Sequence, residues 1–282
     1  MAGSLFSDVV ACIAIPRVEL KHVYRTNGKT IVDNANKVRE GDVGLSCDQY
    51  FSISTCGNDM TEITERYMEL YQKKPDDVVI ISPGNKEVQH LNERIHAMIH
   101  QEENKRVPFC VSMYPGKSWK LFIGDRVMNT KNLNSRIVNG SIGTITGISV
   151  EEQKVDHVKI TVEYLDSSGS ISSQDYIFQK TKQTYLQGKL LPAYVLTIHK
   201  TQGCEYDHVL VYLTMACTYW LRRDGLYTAI TRAKKTCYIY TSSTDVLPKL
   251  ITNSPTNRVT YLATLFNKIY RRRKRKHRDD DN

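Results

Sequence analysis

Several features are missing from this 282-residue chain, and each absence excludes something. No run of about 18 apolar residues occurs, so no membrane-spanning helix is expected. The apolar stretch Val9–Ile15 has Asp8 before it and no basic leader, so it is not expected to be a secretory signal. The seven cysteines, at 12, 47, 56, 110, 204, 217 and 237, are odd in number and include no Cys-x-x-Cys pair. Neither a disulfide framework nor a metal site is expected from them; reduced thiols of an intracellular protein are. No internal repeat is visible. The phosphate-cradling loop Gly-x-x-x-x-Gly-Lys-Ser/Thr is missing too. Gly116-Lys117-Ser118 has its ending, but position 111, where the first glycine belongs, is Val. No acidic pair closes a strand, since Asp76-Asp77 precedes one.

What is present is basic and α/β in texture. The formal charge is +9, of which residues 268–282, with eight Lys/Arg and three Asp, supply +5. The body is mildly basic, which suits nucleic acid without demanding it. The run Arg271–Lys276 reads as a nuclear import signal, an electrostatic DNA tether or a solvated tail.

Asp77–Ser82 is a β-branched run ending at Pro83-Gly84. Val88, Leu91, Ile95, Met98 and Ile99 then follow at helical spacing. Val195–Ile198, Val209–Leu213 and Cys237–Thr241 are further short strands, with a helix over about Gly225–Lys234 between the last two. Strands alternating with helices predict an α/β domain with a mainly parallel sheet. The middle reads differently. Val158, Ile160, Val162 and Tyr164 alternate with polar residues, and Asn139-Gly140 and Asp166–Gly169 mark turns. This predicts a small β-barrel inserted near 112–190. The expected division is 1–111 and 191–250 for the two parts of the α/β domain, and 251–282 for a helix with a basic tail.

Two segments carry the chemistry. Leu196–Tyr212 reads LTIHKTQGCEYDHVLVY, and Gly225–Lys235 reads GLYTAITRAKK. Small polar groups and an accessible glycine at the end of a strand allow phosphates to approach closely. These segments resemble the last two signature motifs of superfamily 1 helicases of the RecD/TraI-like branch. The resemblance runs colinearly over roughly Ala2–Thr241. It implies a RecA-like fold, and specifically the second of the two RecA-like domains that clasp ATP and Mg²⁺.

The resemblance also implies roles. Thr197, His199 and Lys200 would face the DNA, together with Ser82 at the end of its strand. Asn139 of Asn139-Gly140-x-x-Gly143 would join them from the barrel. Gln202, Gly203, Glu205 and Tyr227 would face the nucleotide, with Gly203 near the γ-phosphate and Glu205 on the ribose. Arg232 would be the arginine finger, and Arg25 of Tyr24-Arg25-Thr26 a second phosphate-facing arginine. Thr201 stands where the family has Ser, and Thr26 where it has Gln. The complete motor would hydrolyse ATP and move 5′→3′ on single-stranded DNA. In relatives the P-loop domain ends just before the region matching Ala2–Ile13. The expected partner is therefore a P-loop-containing first helicase domain, and the chain alone is expected to be inactive as an ATPase. A non-catalytic nucleic-acid-binding module derived from a helicase is the alternative, followed by a protein-interaction domain. Retention of Arg25, Arg232, Gln202 and Glu205 together favours the motor.

Overall fold

The computed structural model describes residues 9–10, 12, 15–16, 18, 26, 28–100, 109–114, 117–150, 157–165, 169–179, 190–254, 261–262 and 264–270. Contacts divide the chain into two units, 26–253 and 1–25 with 254–282. In the second, residues 264–270 are helical. The Arg271–Lys276 run and Arg25 lie outside the described residues.

Unit 26–253 opens with α1 (Lys29–Glu40), β1 (Phe51–Thr55), α2 (Thr61–Lys73), β2 (Val78–Ser82) and α3 (Asn85–Ile99). After the antiparallel region come β10 (Val195–Thr197), β11 (Tyr206–Leu213), α4 (Arg223–Ile230), β12 (Ala233–Thr241) and α5 (Val246–Thr252). The order β1-β12-β11-β2-β10 makes one sheet, parallel at every pairing. This is the parallel sheet expected of a RecA-like domain.

Strand alternation explains the layers. Val79 and Ile81 of β2, with Val209 and Val211 of β11, face α1, α4 and α5 through Ile31, Val38, Leu226, Ile230 and Leu250. Val78 and Ile80, with Leu210 and Tyr212, face α2 and α3 through Ile63, Tyr67, Leu91 and Ile95. All five residues of β2 are buried, as a central parallel strand covered on both faces requires. Helix α1 stops where Gly41 takes φ +88°; the N–H groups of Gly41 and Asp42 then donate to the carbonyls of Val38 (3.2 Å) and Lys37 (2.9 Å).

Between α3 and β10 lie the hairpin β3 (Phe109–Tyr114) and β4 (Lys117–Leu121), then β5 (Arg126–Asn129), β6 (Ile142–Val150), β7 (His157–Leu165), β8 (Ile171–Gln179) and β9 (Leu190–Pro192). Val158, Ile160, Val162 and Tyr164 of β7 point inward, as their alternation predicts, onto Ile145, Tyr176 and Phe178. The described strands pair in the order β8-β7-β6-β5-β9. Among the described residues the edge strands β8 and β9 do not pair with each other, so these strands form an open sheet in the region where a small barrel was expected. Strand β9 is three residues long and runs through Ala193-Tyr194 straight into β10, so it has little length with which to close a barrel.

Two buried side chains fasten this sheet to the parallel one. The Arg126 guanidinium donates to the carbonyls of Pro75 and Val78, each at 2.8 Å, just before and at the start of β2. The Asp125 carboxylate accepts from Tyr194 Oη at 2.9 Å.

Candidate functional site

The site is built at the C-terminal ends of the parallel strands, where α/β sheets place their ligand crevices. Strand β10 lies beside β2, with Thr197 opposite Ser82. Both are buried, at 7% and 1% exposure, and Ser82 Oγ is enclosed without a hydrogen-bond partner. The structure thus brings together two residues expected to face DNA that the sequence places 115 positions apart, and it buries both.

Strand β10 is an edge strand, and its outer backbone groups need partners. Asn92, buried on α3, supplies them. Its Nδ2 donates to Val195 O at 2.9 Å, and its Oδ1 accepts from Val195 N at 3.0 Å. Sequence reasoning missed this residue; an Asn on the apolar face of a predicted helix was the available signal.

After Thr197 the chain turns through a short 3₁₀ segment, Ile198–Thr201. Thr201 Oγ1 donates to Ile198 O at 2.8 Å, so the hydroxyl kept at this position closes the turn. His199 and Lys200 project into solvent. Desolvation lowers the pKa of the Lys200 ammonium from its ordinary value, although much of the side chain's area stays open. Lys200 shares a cleft of ≈ 60 Å³ with Asn85, Gln89, Asn92, Trp119 and Pro192. Asn85, Gln89 and Trp119 also went unmarked in the sequence. They come from two elements, α3 and β4, and only folding brings these together.

Gln202, Gly203 and Glu205 are exposed on the following loop. Gly203 has φ +88°, and a Cβ there would meet nothing within 4 Å, so the loop is bare at that point. The Glu205 carboxylate lies 3.6 Å from Lys234 Nζ. Arg232 joins the two motifs. Its Nη1 donates to Cys204 O at 3.1 Å and its Nε to Thr228 O at 3.2 Å. Tyr227, half-buried, packs against the core beneath α4.

The helix expected to reach Lys234 ends at Ile230. Ala233 already pairs with Tyr206 in β12, so parallel pairing claims Ala233–Lys235 and leaves Arg232 in the turn. Asn139 sits in the β5–β6 connection, its N–H donating to Asn132 Oδ1 at 2.8 Å. No described hydrogen bond or strand pairing links it to Ser82 or Thr197.

Residues 192–240 match the model of the UvrD-like helicase C-terminal domain. Over 226 residues, 78% of this chain, the sequence is 26% identical to the ATP-dependent RecD2 DNA helicase of Deinococcus radiodurans. Residues 192–240 are thus similar to a helicase C-terminal domain, and most of the chain is similar to RecD-type helicases. A RecD subunit of the RecBCD enzyme from Buchnera aphidicola is 27% identical over 161 residues, covering 56% of this chain and 24% of that protein. The helicase-like chain spans about a quarter of the length of these curated relatives, 28% of RecD2. Among solved structures, Pif1 helicase from Bacteroides in complex with ADP-AlF3 and ssDNA superposes with TM-score 0.49 and 16% identity, covering 90% of this chain and 56% of that one. Pif1 from Candida albicans gives 0.49 at 14% identity, covering 89% and 60%. No described helix of the chain is long and apolar enough to cross a membrane.

Proposed function

We propose that this domain is the second motor half of an ATP-dependent DNA helicase and acts against a P-loop domain that closes the other side of the nucleotide. The observation that carries this reading is Arg232, whose guanidinium ties the loop of Gln202–Glu205 to the end of α4.

The residues fit an adenine nucleotide from one side. Gly203 leaves a bare backbone for close approach, Glu205 offers a carboxylate to ribose hydroxyls, and Arg232 offers a planar fork to phosphoryl oxygens. When bound, ATP with Mg²⁺ supplies the hydrolysis energy. The acids that hold Mg²⁺ belong in this reading to the P-loop domain. Arg232 rests on neutral carbonyl oxygens, which an anionic phosphate outcompetes. Exchanging one for the other moves the guanidinium towards the partner domain and releases Cys204 O, so the loop that carries it is free to shift. Cys204 follows the 3₁₀ turn Ile198–Thr201 that leaves the end of β10, so the same shift reaches Thr197 and His199. Coupling of this kind turns nucleotide state into movement along a DNA backbone. Arg25 serves as the second phosphate-facing arginine, and the direction of travel is 5′→3′.

The test pairs the chain with a purified RecD-type P-loop domain. Single-strand-stimulated ATP hydrolysis is expected from the mixture. Arg232→Ala should lower it by about 10³-fold or more, the range of an arginine finger, while single-strand affinity stays within about two-fold. Hydrolysis unaffected by Arg232→Ala would refute the finger role. Single-strand binding with no hydrolysis in any mixture would favour a non-catalytic nucleic-acid-binding module.

A further inference from the structure

His96 lies in the last turn of α3, and His100, four residues on, caps its C-terminal end. Asp125, immediately before β5, reaches the same point from the antiparallel sheet. His96 Nε2 lies 3.2 Å from Asp125 Oδ2, and His100 Nε2 lies 2.7 Å from Asp125 Oδ1. All three side chains are about nine-tenths buried or more, at 11%, 7% and 2% exposure. The three donor atoms fall within 4.8 Å of one another.

We propose that His96, His100 and Asp125 form a binding site for a first-row transition metal, Zn²⁺ in the first instance, which bolts the start of β5 onto α3. Two imidazoles and a carboxylate are a donor set that suits zinc, cobalt and nickel and does not suit magnesium. With metal–ligand bonds of about 2.0–2.2 Å, the ligand atoms of a tetrahedral site are ~3.3 Å apart. The two imidazole–carboxylate spacings, 3.2 and 2.7 Å, lie near that value, and no pair among the three donor atoms is more than 4.8 Å apart.

The surroundings are those of a metal site as well. Phe122 N–H donates to Asp125 Oδ2 and Tyr194 Oη to Oδ1, each at 2.9 Å, so both carboxylate oxygens are oriented by partners outside the trio. Trp119 lies 4.8 Å from the His96 ring, and Phe122 stacks on His100 at 4.1 Å. These rings wall the donors from water. The same four donors can also satisfy the carboxylate without a metal, which makes a purely hydrogen-bonded clamp the competing arrangement. The two differ in protons. A metal replaces any proton on each imidazole Nε2, and those protons pass to solvent.

The experiment uses the full chain, stripped with a chelator and titrated with Zn²⁺ by calorimetry in buffers of different ionisation enthalpy, and with Co²⁺ by visible absorption. We expect one equivalent bound, an enthalpy that changes with buffer because protons are released, and tetrahedral Co²⁺ bands without thiolate charge transfer. Mg²⁺ should leave both signals unchanged. His96→Gln and His100→Gln should each weaken binding by more than about 100-fold, since loss of an outer-shell partner alone costs about 10–100-fold; Tyr194→Phe should fall within that range. Absence of saturable one-equivalent binding would overturn the site and leave the hydrogen-bonded clamp. So would a thiolate signature from the cysteines, or undiminished binding in the histidine variants. Should a variant fail to fold, the Co²⁺ spectrum of the unaltered chain still decides which atoms hold the ion.

Discussion

Replacing Asn92 with alanine removes one amide that serves both the N–H and the carbonyl of Val195. Val195 is fully buried and sits on edge strand β10, so no further strand can take over. Each buried main-chain group left without a partner costs about 1–3 kcal/mol, which gives about 2–6 kcal/mol for the pair. Asn92 lines the cleft beside Lys200, so water can reach part of the gap. The lower half of that range, about 2–4 kcal/mol, is therefore the expected loss. Urea unfolding should report it as a lowered midpoint at unchanged slope. Because Thr197 lies two residues further along β10, single-strand affinity should fall in parallel. A stability loss under about 1 kcal/mol, with strand binding intact, would refute the argument that Asn92 holds this strand in place.

Further outcomes can be measured directly. Gly203→Ala meets no steric obstacle, so its cost is confined to the left-handed backbone at φ +88°, about 1–2 kcal/mol. Its larger effect should fall on ATP hydrolysis in the two-domain assay, where the bare loop is needed. Arg126→Leu leaves the carbonyls of Pro75 and Val78 without their donor and cuts the tie between the sheets. A loss of about 2–4 kcal/mol is expected by chemical denaturation. Burial lowers the His208 pKa below its ordinary 6.5. The unfolded chain thus binds the proton more readily, and stability present above about pH 6.5 is lost as pH falls towards the folded-state value. His208→Gln should flatten that slope in denaturation midpoints taken between pH 7 and 5; an unchanged slope would assign the loss to other groups.

Much of the fold was legible because local pattern and tertiary role coincide. The apolar Val78–Ile81 run reads as a strand buried on both faces, and the Leu91/Ile95 spacing reads as a helix packed against it. Thr197–Glu205 and Tyr227–Arg232 were legible as motifs because their chemistry sits on contiguous residues. Phe51–Thr55 and Thr61–Lys73 went unmarked, since FSIST is short and half polar and becomes a strand by pairing with β12. The expected small barrel was read from alternation, which fixes the faces of a strand and says nothing of which edges meet.

The amino-acid order alone determined the parallel α/β class, the helicase-like motifs and the candidate residues within each motif, because periodicity and loop chemistry act over a few neighbouring positions. Tertiary structure decided the rest. It set Thr197 against Ser82, rested Arg232 on Cys204, clamped Val195 with Asn92 and gathered His96, His100 and Asp125. Those groupings depend on strand order and on hydrogen bonds between elements distant in the chain, and no local spacing encodes either.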